Sequence, residues 1–316
     1  MVPHPFAHFA NGWETNNPNP PRRYEAVYST SRMIRILGTI FAGLLGLAFG
    51  SFLNVCLSRW PAGESIVSPR SHCRQCGRTL TWWENVPLVS WLALRGRCRT
   101  CRVWIGWRYT LVEAAVGGLW ALQAWRSYNA FFPLEFAAGM MLLMWVLVGL
   151  AVLDAEHLWL PDAMTLPCMV LGFAWWLLQG IQVGWALHMP PTPWDDAKDV
   201  GKRLLAILTA AALILLIRWL YWLIRRREGM GLGDAKLMAM LAAWLGLPGA
   251  LLAFGLGAVL GALVAVILLV IPSARLDKKA WTARKLPLGT FLCIGGIVSA
   301  LWGEPMIAAY LRWAGF

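Results

Sequence analysis

Two aspartates stand where aspartates are expensive. Asp154 closes a long apolar run in Leu150-Ala151-Val152-Leu153-Asp154-Ala155-Glu156-His157, which leads on to Pro161-Asp162. Asp234 ends a glycine-rich turn, Gly229-Met230-Gly231-Leu232-Gly233-Asp234-Ala235-Lys236, and precedes another apolar run. A carboxylate at bilayer depth costs about 2.5–3.5 kcal/mol on insertion scales, so such residues are rare and as a rule functional. Each has a plainer reading: Asp234 as the N-cap of a helix beginning at Ala235, Asp154 as an interfacial residue in contact with headgroup water. Loop charge, described below, puts both at one membrane depth, and this favours a shared role. Two carboxylates brought together in a partly desolvated site do not both ionise easily. One then holds a proton while the other accepts one, the arrangement needed to activate water against a peptide carbonyl.

Four of the seven cysteines form two knuckles, Cys73-Arg74-Gln75-Cys76 and Cys98-Arg99-Thr100-Cys101, with 21 residues between them. Four thiolates so spaced make a tetrahedral Zn²⁺ site, and with no ligand nearby beyond His72 a closed structural site is expected. The competing reading is a redox dithiol. The remaining cysteines, Cys56, Cys168 and Cys293, lie in apolar stretches and read as packing residues.

Lesser candidates surround these. Gly231 and Gly233 permit close backbone approach beside the acid. Lys236 could neutralise an acid or orient a substrate, against the plainer reading that it snorkels to headgroups. Glu113, in Arg108-Tyr109-Thr110-Leu111-Val112-Glu113, either pairs with an arginine or takes part in binding a polar ligand or in group transfer. Glu135 and Glu304 read as interfacial.

The elements that must position these groups are membrane spans. The 316 residues are 59% hydrophobic and only 14% charged. A soluble surface carries about a quarter to a third charged residues, so a soluble enzyme, a disordered chain and a secreted disulfide scaffold are all excluded. The expected fold is an all-α polytopic membrane protein of about eight transmembrane helices. Residues 1–35 read as a flexible tail and 36–58 as the first span. Residues 59–108 form a cytoplasmic four-cysteine loop, and 109–316 a transmembrane core. Further spans read as 109–125, 130–153, 163–187, 204–224, 235–247, 249–271 and 287–311, with Leu245-Gly246-Leu247-Pro248-Gly249 breaking the short sixth from the seventh.

Net charge is +12, from 28 basic and 16 acidic residues. The 59–108 loop holds nine arginines against Glu64 and Glu84, and Arg225-Arg226-Arg227 and Arg275 to Lys285 are also basic. The positive-inside rule places these loops in the cytoplasm, and the excess charge reads as orientation and contact with anionic lipid rather than nucleic acid. Eight spans would put both termini outside, which Arg22, Arg23, Arg32 and Arg35 oppose.

With these residues in view, the chain resembles the bacterial type IV prepilin peptidases, GxGD-type aspartic membrane proteases. The likeness is carried by Gly50-Ser51-Phe52-Leu53-Asn54-Val55 with Arg59 and Pro61, by Pro69 through Cys76, and by Trp83-Glu84-Asn85-Val86-Pro87-Leu88-Val89-Ser90-Trp91. Arg95-Gly96-Arg97-Cys98, the Asp154…Pro161-Asp162 segment and Gly231-Leu232-Gly233-Asp234 complete it, in the family's order over roughly residues 36–300. The resemblance implies a bifunctional inner-membrane enzyme of type IV pilus or type II secretion systems. It would cut the basic leader from prepilins or pseudopilins on the cytoplasmic side. It would then methylate the new N-terminal amine with S-adenosylmethionine. Asp154 and Asp234 would be the catalytic aspartates, and Cys73, Cys76, Cys98 and Cys101 the cytoplasmic metal site. No glycine-rich fingerprint marks where the methyl donor binds. Glu64, Glu84, Glu156 and Asp162 are the acids that could meet a basic leader.

Two other classes compete. A membrane thiol–disulfide oxidoreductase would use the cysteine pairs and tolerate Asp154→Asn. An ion-coupled transporter would use Asp154 and Asp234 as ligands beside helices broken near Gly246–Gly249.

Overall fold

The computed structural model describes residues 22–130, 134–186, 193–227, 230–270 and 286–315. Among them are eight α-helices: α1 Arg22–Arg59, α2 Val89–Ala93, α3 Trp107–Ala130, α4 Leu134–His157, α5 Asp162–Ala186, α6 Pro193–Arg225, α7 Leu232–Val270 and α8 Leu288–Trp313. The described residues hold no strand beyond the isolated β-bridges His72–Thr79 and Arg97–Trp104 in the loop between α1 and α3. The class is all-α, as expected.

Six helices are long and apolar enough to cross a membrane, namely α1 from Arg32, then α4, α5, α6, α7 and α8. Helix α3 falls short of that apolarity because Arg108, Glu113, Gln123 and Arg126 dilute it, yet it packs along α1 and contributes Val112, Val116 and Trp120 to the core. Helix α1 begins at Arg22, inside the stretch read as tail, and α6 begins at Pro193, inside the stretch read as a loop. Residues 1–21, Gly229 and the basic stretch Arg275 to Lys285 lie outside the described residues.

Helix α4 is the centre of the bundle. Its most apolar stretch is 61% buried, against 17% for α6. Leu143, Leu147, Leu150 and Leu153 share one core cluster with Leu237, Met238, Met240 and Leu241 of α7 and Leu292 and Cys293 of α8. By contrast Phe41 and Leu44 of α1, Leu208 of α6 and Val259 of α7 point outward, fully compatible with acyl chains and costly in water. Lipid offers helices no hydrophobic drive to associate, so close packing holds them. At Gly50 of α1 an added Cβ would lie 2.8 Å from the Glu113 Cα of α3, so the two backbones touch there.

The expected break between the sixth and seventh spans takes a sharper form. Both belong to α7, interrupted at Gly246 with φ 74° and ψ 175°, a conformation that glycine alone adopts easily. The chain reverses there. Leu241 packs at Gly296 and Gly249 bonds to Ser299, but Gly257 and Gly261 lie back at Leu292 and Phe291. The first limb therefore enters the bundle from the Asp234 end and the second returns toward it along α8. Across the break, Arg203 of α6 donates to the Ala242 carbonyl at 3.2 Å.

Candidate active site and metal centre

Asp154 occupies the last turn of α4. That turn ends where Leu158, at φ 52°, donates its N–H to the Asp154 carbonyl at 2.9 Å. Asp234 sits in the first turn of α7. The helix starts at Leu232 rather than Ala235, so Asp234 is not its N-cap. Its Oδ2 instead reaches back to accept the Gly231 N–H at 3.1 Å. Arg218 of α6 holds the same turn from behind, donating to the Met230 carbonyl at 2.9 Å.

The two aspartates come from separate helices and meet around Leu160. A Cβ at Gly233 would lie 3.0 Å from the Leu160 Cβ, and one at Gly289 would lie 2.9 Å from both the Asp154 carboxylate and Leu160 Cδ1. Each aspartate is more than nine-tenths buried. Gly233 is needed for that approach, whereas a side chain at Gly231 would make only ordinary contact.

A third helix completes the pair. The Thr290 N–H of α8 donates to Asp154 Oδ2 at 2.6 Å. Its hydroxyl lies 3.1 Å from the same oxygen and 3.0 Å from the Ala151 carbonyl. Lys236 turns away from both aspartates. Its Nζ straddles the Asp162 carboxylate at 2.6 and 2.7 Å, tying α7 to the start of α5. Glu156, two residues beyond Asp154, accepts from Arg108 at 2.8 Å, so the start of α3 abuts the aspartate end of α4.

The cysteine loop occupies this same end, between α1 and α3. Its knuckles are built alike. The Gly77 N–H bonds to the Cys73 carbonyl and the Cys73 N–H to the Arg78 carbonyl; Arg102 to Cys98 and Cys98 to Val103 repeat the pattern. Each knuckle closes on a left-handed residue, Gly77 at φ 69° and Arg102 at φ 59°. The four sulfurs lie within 4.8 Å of one another, with Cys73 and Cys101 3.7 Å apart. A tetrahedral zinc with bonds of about 2.3 Å needs sulfurs about 3.8 Å apart, so the set fits one metal ion. Backbone N–H groups of Cys101 and Thr100 pull the Cys98 thiol down to about 6 from the usual 9.0, which favours the ligating thiolate. Cys56, Cys168 and Cys293 are buried among apolar neighbours, as expected of packing residues.

Near the metal site Glu84 is buried. Desolvation would raise its carboxyl, but the Arg78 guanidinium and the Thr81 N–H and hydroxyl hold it down at about 2. Glu113 is buried as well and pairs with no arginine among the described residues. Its Oε2 accepts the Leu88 N–H at 2.9 Å from the turn that opens α2. Glu304 is exposed, and the Glu135 side chain lies outside the described residues.

Two family models match the chain, the bacterial peptidase A24 N-terminal domain over residues 44–127 and the type IV leader peptidase family over 141–266. The chain belongs to the type IV leader peptidase family. Among curated members, the prepilin leader peptidase/N-methyltransferase of Pseudomonas aeruginosa is 35% identical over 297 residues, covering 86% of this chain and 93% of that protein. The same-named proteins of Pseudomonas putida and Myxococcus xanthus are 36% and 38% identical, covering 87% and 80% of this chain and 94% and 69% of theirs. No solved structure matches the chain. With six candidate spans, membership of this family makes the chain a multi-pass inner-membrane protein.

Within this leader peptidase, Asp154 and Asp234 both fall inside the second matched region and the four cysteines inside the first. Thr290 lies beyond both. It had no signal in the sequence, because a threonine in an apolar helix is ordinary until the fold sets it against a carboxylate.

Proposed function

We propose that Asp154 and Asp234 are the catalytic pair of a prepilin leader peptidase that works at the cytoplasmic face of the inner membrane. The chain is an aspartic prepilin peptidase with N-methyltransferase activity, acting on prepilins or pseudopilins. A water held between the two carboxylates gives a proton to the charged one as its oxygen attacks the scissile carbonyl. The protonated partner donates to the carbonyl oxygen, and the pair then protonates the leaving amine. Thr290 and the Gly231 N–H fix the two carboxylates so that neither has to reorganise during the reaction. The substrate's apolar helix enters laterally from lipid while its basic leader stays in water.

The observation that carries this reading is the convergence of two buried aspartates from separate helices on Leu160, at the end of the bundle that holds the basic loop. Of the acids expected to meet a leader, Glu84, Glu156 and Asp162 each already hold a cation. A leader would have to displace those cations or use other groups. The four cysteines would hold a structural Zn²⁺, closing the loop with no open coordination position. S-adenosylmethionine supplies the methyl group for the second reaction.

The test is cleavage of a purified prepilin in detergent. Asp154→Asn and Asp234→Asn should each abolish cleavage while methylation of a pre-cut pilin persists. Cleavage by either variant at more than about a hundredth of the wild-type rate would refute the pair; losing that factor corresponds to only about 2.7 kcal/mol of transition-state stabilisation.

A further inference from the structure

The peptidase mechanism leaves unused a cavity of about 650 Å³. It lies between the end of α1, the start of α3 and the cysteine loop, on the same end of the bundle as the aspartates. Pockets for drug-sized ligands run to about 300–1,000 Å³, so it holds one such molecule.

Its lining is chemically mixed in a particular way. Asn54 and Glu113, from facing helices, supply buried polar groups, and Trp91, Trp104 and Tyr109 supply rings. Asn54 is 4% exposed. Its Nδ2 donates to the Tyr109 carbonyl at 2.8 Å, while its Oδ1 is buried with no hydrogen-bond partner. A buried acceptor left unmatched is rare and points to a missing donor. Glu113, Glu64 and Glu84 line it together with Arg59, Arg74 and Arg99, so it offers both signs of charge, and the Leu88 N–H fixes the direction of Glu113. Trp91 is itself locked, by its Nε1–H on the Ile105 carbonyl at 3.1 Å and by edge contact with Trp104.

A buried acid, an unmatched amide oxygen and indole faces suit a ligand that carries a positive charge, several hydroxyl or amino donors and a flat ring. We infer that this cavity binds the methyl donor S-adenosylmethionine, with Asn54 and Glu113 as its polar contacts and Trp91 as a ring wall. The inference rests on the N-methyltransferase reading above and assigns that reaction its place. Arg108, in the first turn of α3 beside Tyr109, bonds to Glu156 two residues beyond Asp154, so the cavity and the aspartates share one end of the bundle. There the free amine of the new N-terminus attacks the methyl carbon as its bond to sulfur breaks. S-adenosylhomocysteine leaves, and the extra proton on the amine passes to water.

The experiment uses the full-length protein purified in detergent with its metal. Binding of S-adenosylhomocysteine is measured by calorimetry, and an azido-adenosyl analogue of it is photocrosslinked to the wild type and mapped by peptide. Label is expected within 51–59, 88–94 or 103–113, displaced by S-adenosylhomocysteine. Glu113→Gln and Asn54→Leu should each weaken binding tenfold or more, with leader cleavage read alongside as the check on folding. Label elsewhere in the chain, or variants that cleave and still bind within twofold of wild type, would overturn the cavity assignment. So would label displaced by a leader peptide and not by S-adenosylhomocysteine. If both variants misfold, the wild-type map decides alone. A wild type that cleaves but neither binds S-adenosylhomocysteine nor methylates would instead remove the N-methyltransferase reading itself.

Discussion

Thr290→Val removes a hydroxyl from the Asp154 carboxylate without changing the shape of the side chain. Valine keeps the β-branch, so α8 and its packing should persist. The backbone N–H at 2.6 Å remains, and the hydroxyl has one proton to divide between Asp154 at 3.1 Å and the Ala151 carbonyl at 3.0 Å. Hydrogen bonds to charged groups contribute about 1.5–3 kcal/mol, and a shared donor belongs at the lower end. A loss of about 1.5 kcal/mol corresponds to a roughly tenfold fall in rate. The assay is steady-state cleavage of a prepilin in detergent, with kcat and KM resolved. The loss should appear in kcat, with KM within about twofold, because Thr290 acts through Asp154 rather than on the leader. Thr290→Ser should restore most of the rate, since it returns the hydroxyl. Wild-type kcat in Thr290→Val, or a serine variant as slow as the valine one, would refute the positioning role.

The remaining predictions concern the cysteine loop. Glu84 drops from 4.5 to about 2 on folding, a shift equivalent to about 3 kcal/mol, which solvent screening at the 29%-exposed Arg78 reduces to about 1–2. That stabilisation is complete above pH 4.5 and disappears as pH falls toward 2. Glu84→Gln should therefore raise amide exchange in residues 78–86 at pH 6, with the difference from wild type closing below pH 4. Arg102 holds φ 59° where its counterpart in the first knuckle is Gly77, so Arg102→Gly should stabilise the loop by about 1 kcal/mol, read as slower metal loss to a chelator. Cys98→Ser removes the most buried ligand; it should abolish stoichiometric zinc, measured by elemental analysis, and depress methylation more than cleavage.

Much of the site was legible because its signals are local. A charged residue against an apolar run, a glycine cluster before an acid, and two Cys-x-x-Cys pairs each need only a short window to be recognised. Partnerships were less legible. Lys236 was a candidate to attend the aspartates, and it binds Asp162, 74 positions away. Glu113 was weighed against an arginine partner, and it is held by the backbone of Leu88. The break at Gly246 was visible in the Gly and Pro residues around it, but its angle was not. Pro248 marks an interruption, whereas the reversal follows from how the two limbs of α7 pack on α8.

The sequence alone settled that this chain lives in a membrane and which side chains were the candidates to carry its chemistry. Apolar length and the cost of charge in lipid are properties of composition and position, independent of which helix lies beside which. Tertiary structure decided that Asp154 and Asp234 share one site with Thr290, which joins Asp154 across 136 positions, and that Asn54 and Glu113 face one cavity. Such meetings depend on the packing of whole helices, where a rotation of one residue turns a side chain by about 100° and changes every partner it has.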